Sequence, residues 1–289
     1  METQQVDVLA GALKKIDVLG AGFVLLKDCL PRLVPIGRTM ETSIVEAARI
    51  SYNQGLKNVE TDNSLVRYLY RNRHTSPFEQ VEFKFVIKCP LFVKNQIIRS
   101  RTFSYNEFSQ RYSEVKDDDG SSFYHPSTQL NGIRAQDKVN KQGSIPINPD
   151  DEVSVRLKVQ EAERNLERTV ENYKELIDKG VSRETARFCL SSSTWTTLYM
   201  KGNLHNFLHF LSLRVDIHAQ YETRLYAQAI YDLIKPLVPV TMEVFENTRL
   251  NSITFSATEI EAIKNKKEFK GTKTEEMEFV EKCKKLGLY

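Results

Sequence analysis

Three arginines, a carboxylate, an amide and several hydroxyls are gathered between Arg99 and Tyr112, in the order R-x-R-x-x-S-x-N-E-x-S-x-R-Y. The guanidinium group is a planar fork of donors that grips phosphate through parallel hydrogen bonds, while Ser, Asn and Glu add shorter-range contacts to a sugar or a base. Such a segment suits an anion of nucleotide size. Phe103, Tyr105, Phe108 and Tyr112 interleave with the basic residues, as in strips that stack nucleic-acid bases, but a carboxylate at Glu107 among phosphate contacts favours a mononucleotide. A solvated helix or hairpin whose charges only keep the surface wet is the plain alternative for any arginine-rich run.

A second candidate chemistry lies at His205 and His209. Two histidines four residues apart share a helical face and can bind zinc, with His218 as a third ligand. Asn206 stands where an H-E-x-x-H protease carries its general base, so a packed or hydrogen-bonding pair is the simpler reading. A metal-dependent hydrolase using His205, His209 and His218 is the alternative function. Cys29, Cys89, Cys189 and Cys283 lie far apart without a C-x-x-C pair, which reads as reduced, buried thiols rather than a zinc knuckle or redox motif. Ser109 has no neighbouring base in the sequence, so a hydroxyl contact to substrate is preferred over a nucleophile.

Positioning these residues requires a folded core, and 289 residues with 40% hydrophobic content suffice for one. The 41 Lys and Arg against 38 acidic residues give a formal charge of +3, too balanced to announce a nucleic acid or membrane as partner. No apolar run is long enough to span a bilayer, and the start Met1–Asp7 lacks the basic and apolar regions of a signal peptide. A cytoplasmic location is the expectation.

The elements follow from periodicity and punctuation. Residues 1–15 read as an N-terminal tail, and Gly22–Leu26 as a first strand. Thr42 is placed to cap a helix from Ser43, and Leu65, Tyr68 and Leu69 mark a second helix after Asn63. Val81, Phe83, Phe85 and Ile87 alternate with Glu82, Lys84 and Lys88 in the period of a half-buried strand. Pro90 can open a helix that leads to the arginines. Residues 115–152, with clustered Asp, Ser and Pro, read as a long exposed loop, either a lid or subunit contact or, equally, simple surface disorder. A helix spans Val153–Asp178 before Gly180, Ser182 is placed to cap the helix carrying Arg187, and Thr194–Tyr199 has strand character. Asn203 caps a helix through Arg214, and a further helix runs from about His218 to Pro236. One catalytic domain over residues 16–250 is expected. A charged C-terminal extension, 251–289, reads as a solvated helix.

The arginine run resembles the signature of the flavin-dependent thymidylate synthases (the ThyX family), with Ser100 where the family usually carries His. His74-Thr75-Ser76-Pro77-Phe78-Glu79, the V-x-R-E-x-A-R run ending at Arg187, the helix Asn203–Arg214 and His218-Ala219-Gln220 are similar to further family segments, so the resemblance spans about Ile16 to Val240. It implies an α/β (α+β) fold with helices around a mixed or antiparallel sheet, and a homotetramer with shared active sites. It implies that His74, Ser76, Arg99, Ser100, Arg101, Glu107, Asn203, His205 and His209 contact FAD. Gln96, Arg99, Glu107, Ser109, Gln110, Arg111, Arg187 and Arg214 would bind dUMP, with Arg214 catalytic in favouring the deprotonated imide of uracil. The implied reaction converts dUMP to dTMP with methylenetetrahydrofolate and NADPH through FAD, and uses no metal and no enzyme thiol.

Overall fold

The computed structural model describes residues 4–12, 14–114, 122–138 and 143–288. They divide into two compact units at Val244 and Phe245. The first begins with strands β1 (Gln5–Asp7), β2 (Lys15–Val18), β3 (Gly22–Leu30) and β4 (Leu33–Pro35), then helices α1 (Thr42–Arg49) and α2 (Val59–Arg71). Strand β5 (Glu82–Pro90), helix α3 (Leu91–Ile97) and strand β6 (Ser104–Glu107) follow. Then come β7 (Arg134–Gln136), β8 (Ser144–Pro146), α4 (Glu152–Asp178), α5 (Arg183–Ala186), β9 (Trp195–Asn203), α6 (Leu204–Arg214), α7 (Tyr221–Ile234) and α8 (Pro239–Phe245).

The core is an antiparallel sheet in the order β2-β3-β5-β9-β6. Its buried face is written in the alternation of β5, where Phe83, Phe85 and Ile87 are fully buried while Lys84 on the other face is exposed. Register then collects like with like: Phe85 lies between Leu26 and Met200, and Ile87 between Val24 and Leu198. Phe207 of α6 meets Phe83 and Phe85 edge-on at 5.9 and 5.3 Å, which seals this face. Each such side chain removed from water contributes about 1.5–3 kcal/mol. Beside the sheet, Asp62 of α2 is buried and bridged by Arg38 at 2.8 Å and Arg49 at 2.6 Å, so α1 and α2 are joined by paired rather than isolated charges.

Several expected boundaries move for local reasons. Helix α2 starts ahead of Asn63 because Asn58 accepts the Thr61 amide at 2.8 Å and caps it there. Thr42 is no cap: its hydroxyl donates to Thr39 O at 3.0 Å. Residues 5–7, assigned from sequence to a tail, pair with Leu33–Pro35, and Lys15 already belongs to β2. Of the expected loop 115–152, residues 115–121 and 139–142 lie outside the described residues. The remainder carries a 3-10 turn at Pro126–Thr128 and the β7–β8 hairpin, and buried Glu163 of α4 accepts the Ser127 amide at 2.9 Å. Strand β9 continues past Tyr199 to Asn203, and α7 begins at Tyr221 rather than near His218.

The second unit is more than a solvated helix. Ser256 with Glu259, and Thr272 with Glu275, form capping boxes that start helices α9 (Ala257–Asn265) and α10 (Lys273–Lys285). Ala262, Phe279 and Cys283 pack with Phe255, Ile263 and Phe269 into a small core of its own. Burial pushes the Cys29 thiol up to about 12 and raises Cys89 and Cys283 as well, so these groups stay protonated and inert.

Candidate active site

Strand β9 runs directly into α6, and Asn203 belongs to both. It pairs with Glu82 on β5, and its side chain accepts the Asn206 amide at 2.9 Å, satisfying one of the free donors of the first turn. That cap fixes His205, half-buried, and His209, exposed, one turn apart on α6. The 3-10 turn Ser76–Gln80 packs on the same helix, with Phe78 buried beneath it. His74 and Ser76 stay exposed at its edge. The His74 amide donates to Leu69 O at 2.9 Å, and its ring meets Tyr68 edge-on at 5.9 Å.

The Arg99–Arg101 loop joins α3 to β6 and is tied down at its margins. The Tyr105 hydroxyl lies 3.0 Å from both Ile97 O and Ser100 O, and Asn206 Nδ2 donates to Thr102 O at 3.2 Å. The Phe103 ring sits 4.7 Å from that of Phe207. Arg99 and Arg101 are exposed, and neither guanidinium has an ion pair among the described residues; Ser100 is half-buried. Helix α6 is therefore the common support of three polar segments: 74–76, 99–101 and 203–209.

The other expected residues continue from this band. Gln96 lies exposed on the last turn of α3, and Glu107 closes β6 opposite Leu198. Its carboxylate is engaged: Oε1 accepts from Thr196 at 2.9 Å, and Oε2 pairs with Lys94 at 3.2 Å. Ser109 Oγ accepts the Arg111 amide at 3.3 Å, and the Arg111 guanidinium pairs with Glu184 of α5 at 3.1 Å. Arg183 pairs with Glu114 at 2.8 Å, so the 109–114 segment is laced to the helix that leads to Arg187. Arg187 is exposed and has no ion pair among the described residues.

Two of the expected site residues, among seven buried polar side chains without a partner among the described residues, keep a free donor. Gln110 Nε2 and Arg214 Nε are both shielded from solvent and lack any hydrogen-bond partner among the described residues. A buried donor without an acceptor costs about 1–3 kcal/mol, so such groups signal an acceptor brought from outside the chain. Arg214 ends α6, and its charge acts on the Tyr105 hydroxyl against the burial that pushes that group upward. The α6 terminus and the arginine loop thus lie within electrostatic reach of each other. A cavity elsewhere, lined by Arg38, Glu41, Asp62 and Val240, contains none of these residues.

The family model described as thymidylate synthase complementing protein matches residues 32–240. A flavin-dependent thymidylate synthase of Dictyostelium discoideum is 43% identical over 289 residues, covering 99% of this chain and 91% of the relative. The chain belongs to this family. A flavin-dependent thymidylate synthase of Treponema denticola is 41% identical over 256 residues, 87% of this chain and 89% of the relative. Among solved structures, the UMP/dUMP methylase PolB of Streptomyces cacaoi, bound with 5-Br dUMP, superimposes with a TM-score of 0.67 at 32% identity, covering 81% of this chain and 98% of that one.

The hydrolase alternative finds no support. Among the described residues no three metal-capable side chains gather, and the His218 ring is engaged by Asp216 at 2.7 Å in the turn after α6. Sequence reasoning did not single out Lys94 or Thr196, which hold Glu107, and took Tyr105 only as a stacking aromatic, whereas its hydroxyl ties down the arginine loop. The one available signal was Lys94 itself, the lone charge between Leu91 and Ile98.

Gly202 offers a mutational check on this geometry. A Cβ added there would lie 2.4 Å from the Phe103 ring, which is already seated on Phe207 and Phe210. Gly202→Ala is expected to cost about 1–3 kcal/mol through displacement of that ring. Thermal unfolding measures the loss, and an unchanged Tm would show that the loop yields without strain.

Proposed function

We propose that this chain methylates dUMP at C5 to give dTMP, with FAD as cofactor, methylenetetrahydrofolate as one-carbon donor and NADPH as reductant. The observation that carries the reading is the continuous 43% identity with a flavin-dependent thymidylate synthase across almost the whole length. The residues fit a flavin dinucleotide. Exposed Arg99 and Arg101, without an ion pair among the described residues, suit a diphosphate beside half-buried Ser100, and α6 carries His205 and His209 against the Ser76–Gln80 turn that follows His74. Asn203 and Glu107 complete this cofactor set. Together these residues would hold FAD, which would supply hydride chemistry beside the pyrimidine.

The chain's own residues bind, orient and polarise. Arg111 and Arg187 hold the phosphate of dUMP, and Gln96, Arg99, Glu107, Ser109 and Gln110 surround its sugar and base. Glu184 is a weak competitor for Arg111, because both partners are about half exposed and a surface pair of this kind contributes roughly 0–1 kcal/mol. Phosphate can therefore displace it. Arg214 stabilises negative charge on the uracil imide, which pushes electron density toward C5, a carbon that is otherwise a poor nucleophile. A homotetramer with shared sites accounts for the exposed Tyr112 and Phe188 beside the phosphate arginines. A cytoplasmic location fits this substrate set, and no helix among the described residues is long and apolar enough to cross a membrane.

Purified protein is expected to show flavin absorbance that bleaches with NADPH, and to form dTMP from dUMP and methylenetetrahydrofolate. UMP run in parallel tests whether the sugar is discriminated. A protein that neither carries nor takes up FAD and yields no dTMP would overturn this function.

A further inference from the structure

We propose that Lys94 is a positioning residue for the nucleotide site, acting with Thr196 to hold the Glu107 carboxylate in a single orientation. The inference rests on the reading of this chain as a thymidylate synthase and adds residues that lie outside its sequence motifs. Lys94 sits on α3 between Val93 and Ile97, both fully buried, and its own side chain is only 14% exposed. An ammonium group is seldom withdrawn from water to that degree without a partner. Its partner is Glu107 Oε2 at 3.2 Å, while Thr196 donates to Oε1 at 2.9 Å.

The two holding groups come from different elements, α3 and β9, and the carboxylate comes from a third, the end of β6. Oε1 accepts the Thr196 hydroxyl and Oε2 faces the Lys94 ammonium as an ion pair, so each oxygen keeps a lone pair to offer, and the side chain of Glu107 remains 35% exposed. A glutamate on an edge strand otherwise has free rotation about its terminal torsions. Held at both oxygens, it presents its remaining lone pairs to a ribose hydroxyl or a bound water in one geometry. This differs from the half-exposed Arg111–Glu184 pair, which is free to exchange its partner.

The test uses the full-length protein. Lys94→Met keeps chain length and removes the charge, Lys94→Arg restores it, and Thr196→Val removes the second contact. Equilibrium titration with dUMP should show Kd raised about tenfold in Lys94→Met and about threefold in Thr196→Val, the loss expected for a shielded ion pair and for one hydroxyl hydrogen bond to the carboxylate. Lys94→Arg should recover most of the affinity, and kcat at saturating dUMP should move less than KM. In the double variant Lys94→Met with Glu107→Gln, the loss should not exceed that of Glu107→Gln alone, because Lys94 acts only through Glu107. Folded Lys94→Met with unaltered Kd, or losses that add in the double variant, overturns the proposal. Should Lys94→Met not fold, Thr196→Val combined with Glu107→Gln reads the same coupling and decides it. Wild type that fails to bind dUMP removes the functional reading instead, and the proposal with it.

Discussion

Arg214→Ala is expected to lower dTMP formation by on the order of a hundredfold or more while leaving NADPH-dependent flavin reduction near normal. The expectation starts from an orphan: Arg214 Nε is shielded from solvent at the end of α6 without an acceptor among the described residues. A guanidinium in that state is available to charge that develops on a bound pyrimidine, and removing one such preorganised donor typically costs that much rate. A competing role exists. A cation in the last turn of a helix complements the negative end of its dipole, but this contributes only about 0.3–1 kcal/mol of stability. The two roles separate cleanly when flavin reduction, dTMP formation and Tm are measured on one preparation. Near-wild-type dTMP formation with a slightly lower Tm would leave Arg214 as a helix-end cation. Loss of flavin reduction alone would move it to the cofactor side.

Arg187→Lys and Arg111→Lys are expected to weaken dUMP binding by about 1–3 kcal/mol each while FAD content stays unchanged. Lysine keeps the charge but loses the fork that holds two phosphate oxygens at once. Arg187 is the sharper case, since its guanidinium has no ion pair among the described residues that the substitution could disturb. For Arg111 the Glu184 pair must be broken first, so Glu184→Gln is expected to leave dUMP affinity equal or slightly improved. Titration of each variant with dUMP, alongside its flavin absorbance, checks both. An Arg111→Lys protein that sheds FAD yet binds dUMP normally would reverse the assignment.

Much of the fold could be read one element at a time. The alternation Val81, Phe83, Phe85, Ile87 named β5, because a period of two is a local property of the chain. Asn203 named the start of α6 for the same reason, since a cap acts within three residues. The start of α2 was misread because Asn58 caps it before the apolar spacing begins, and the charged C-terminal stretch hid the Phe255–Phe279 and Phe269–Phe279 contacts that give it a core. Aromatic pairs separated by a turn and a second helix leave no local pattern.

The candidate site divides along the same line. By itself the sequence determined which donors and acceptors exist: arginines at 99, 101, 111, 187 and 214, histidines at 74, 205 and 209, and the accepting carboxylate of Glu107, all in motif spacing. Residue type dictates what a group can donate or accept. Only the tertiary structure decided which of those groups are free and which are spoken for. Thr196 reaches Glu107 across 89 residues of chain, Glu184 reaches Arg111 across 73, and Asn206 reaches Thr102 across 104. These pairings are set by strand register and helix packing, which depend on how the apolar faces of β3, β5, β9 and α6 close on one another. A hydrophobic core fixes positions over distances at which no sequence period survives, and so the orphaned Arg214 and the held Glu107 appear only once that core is assembled.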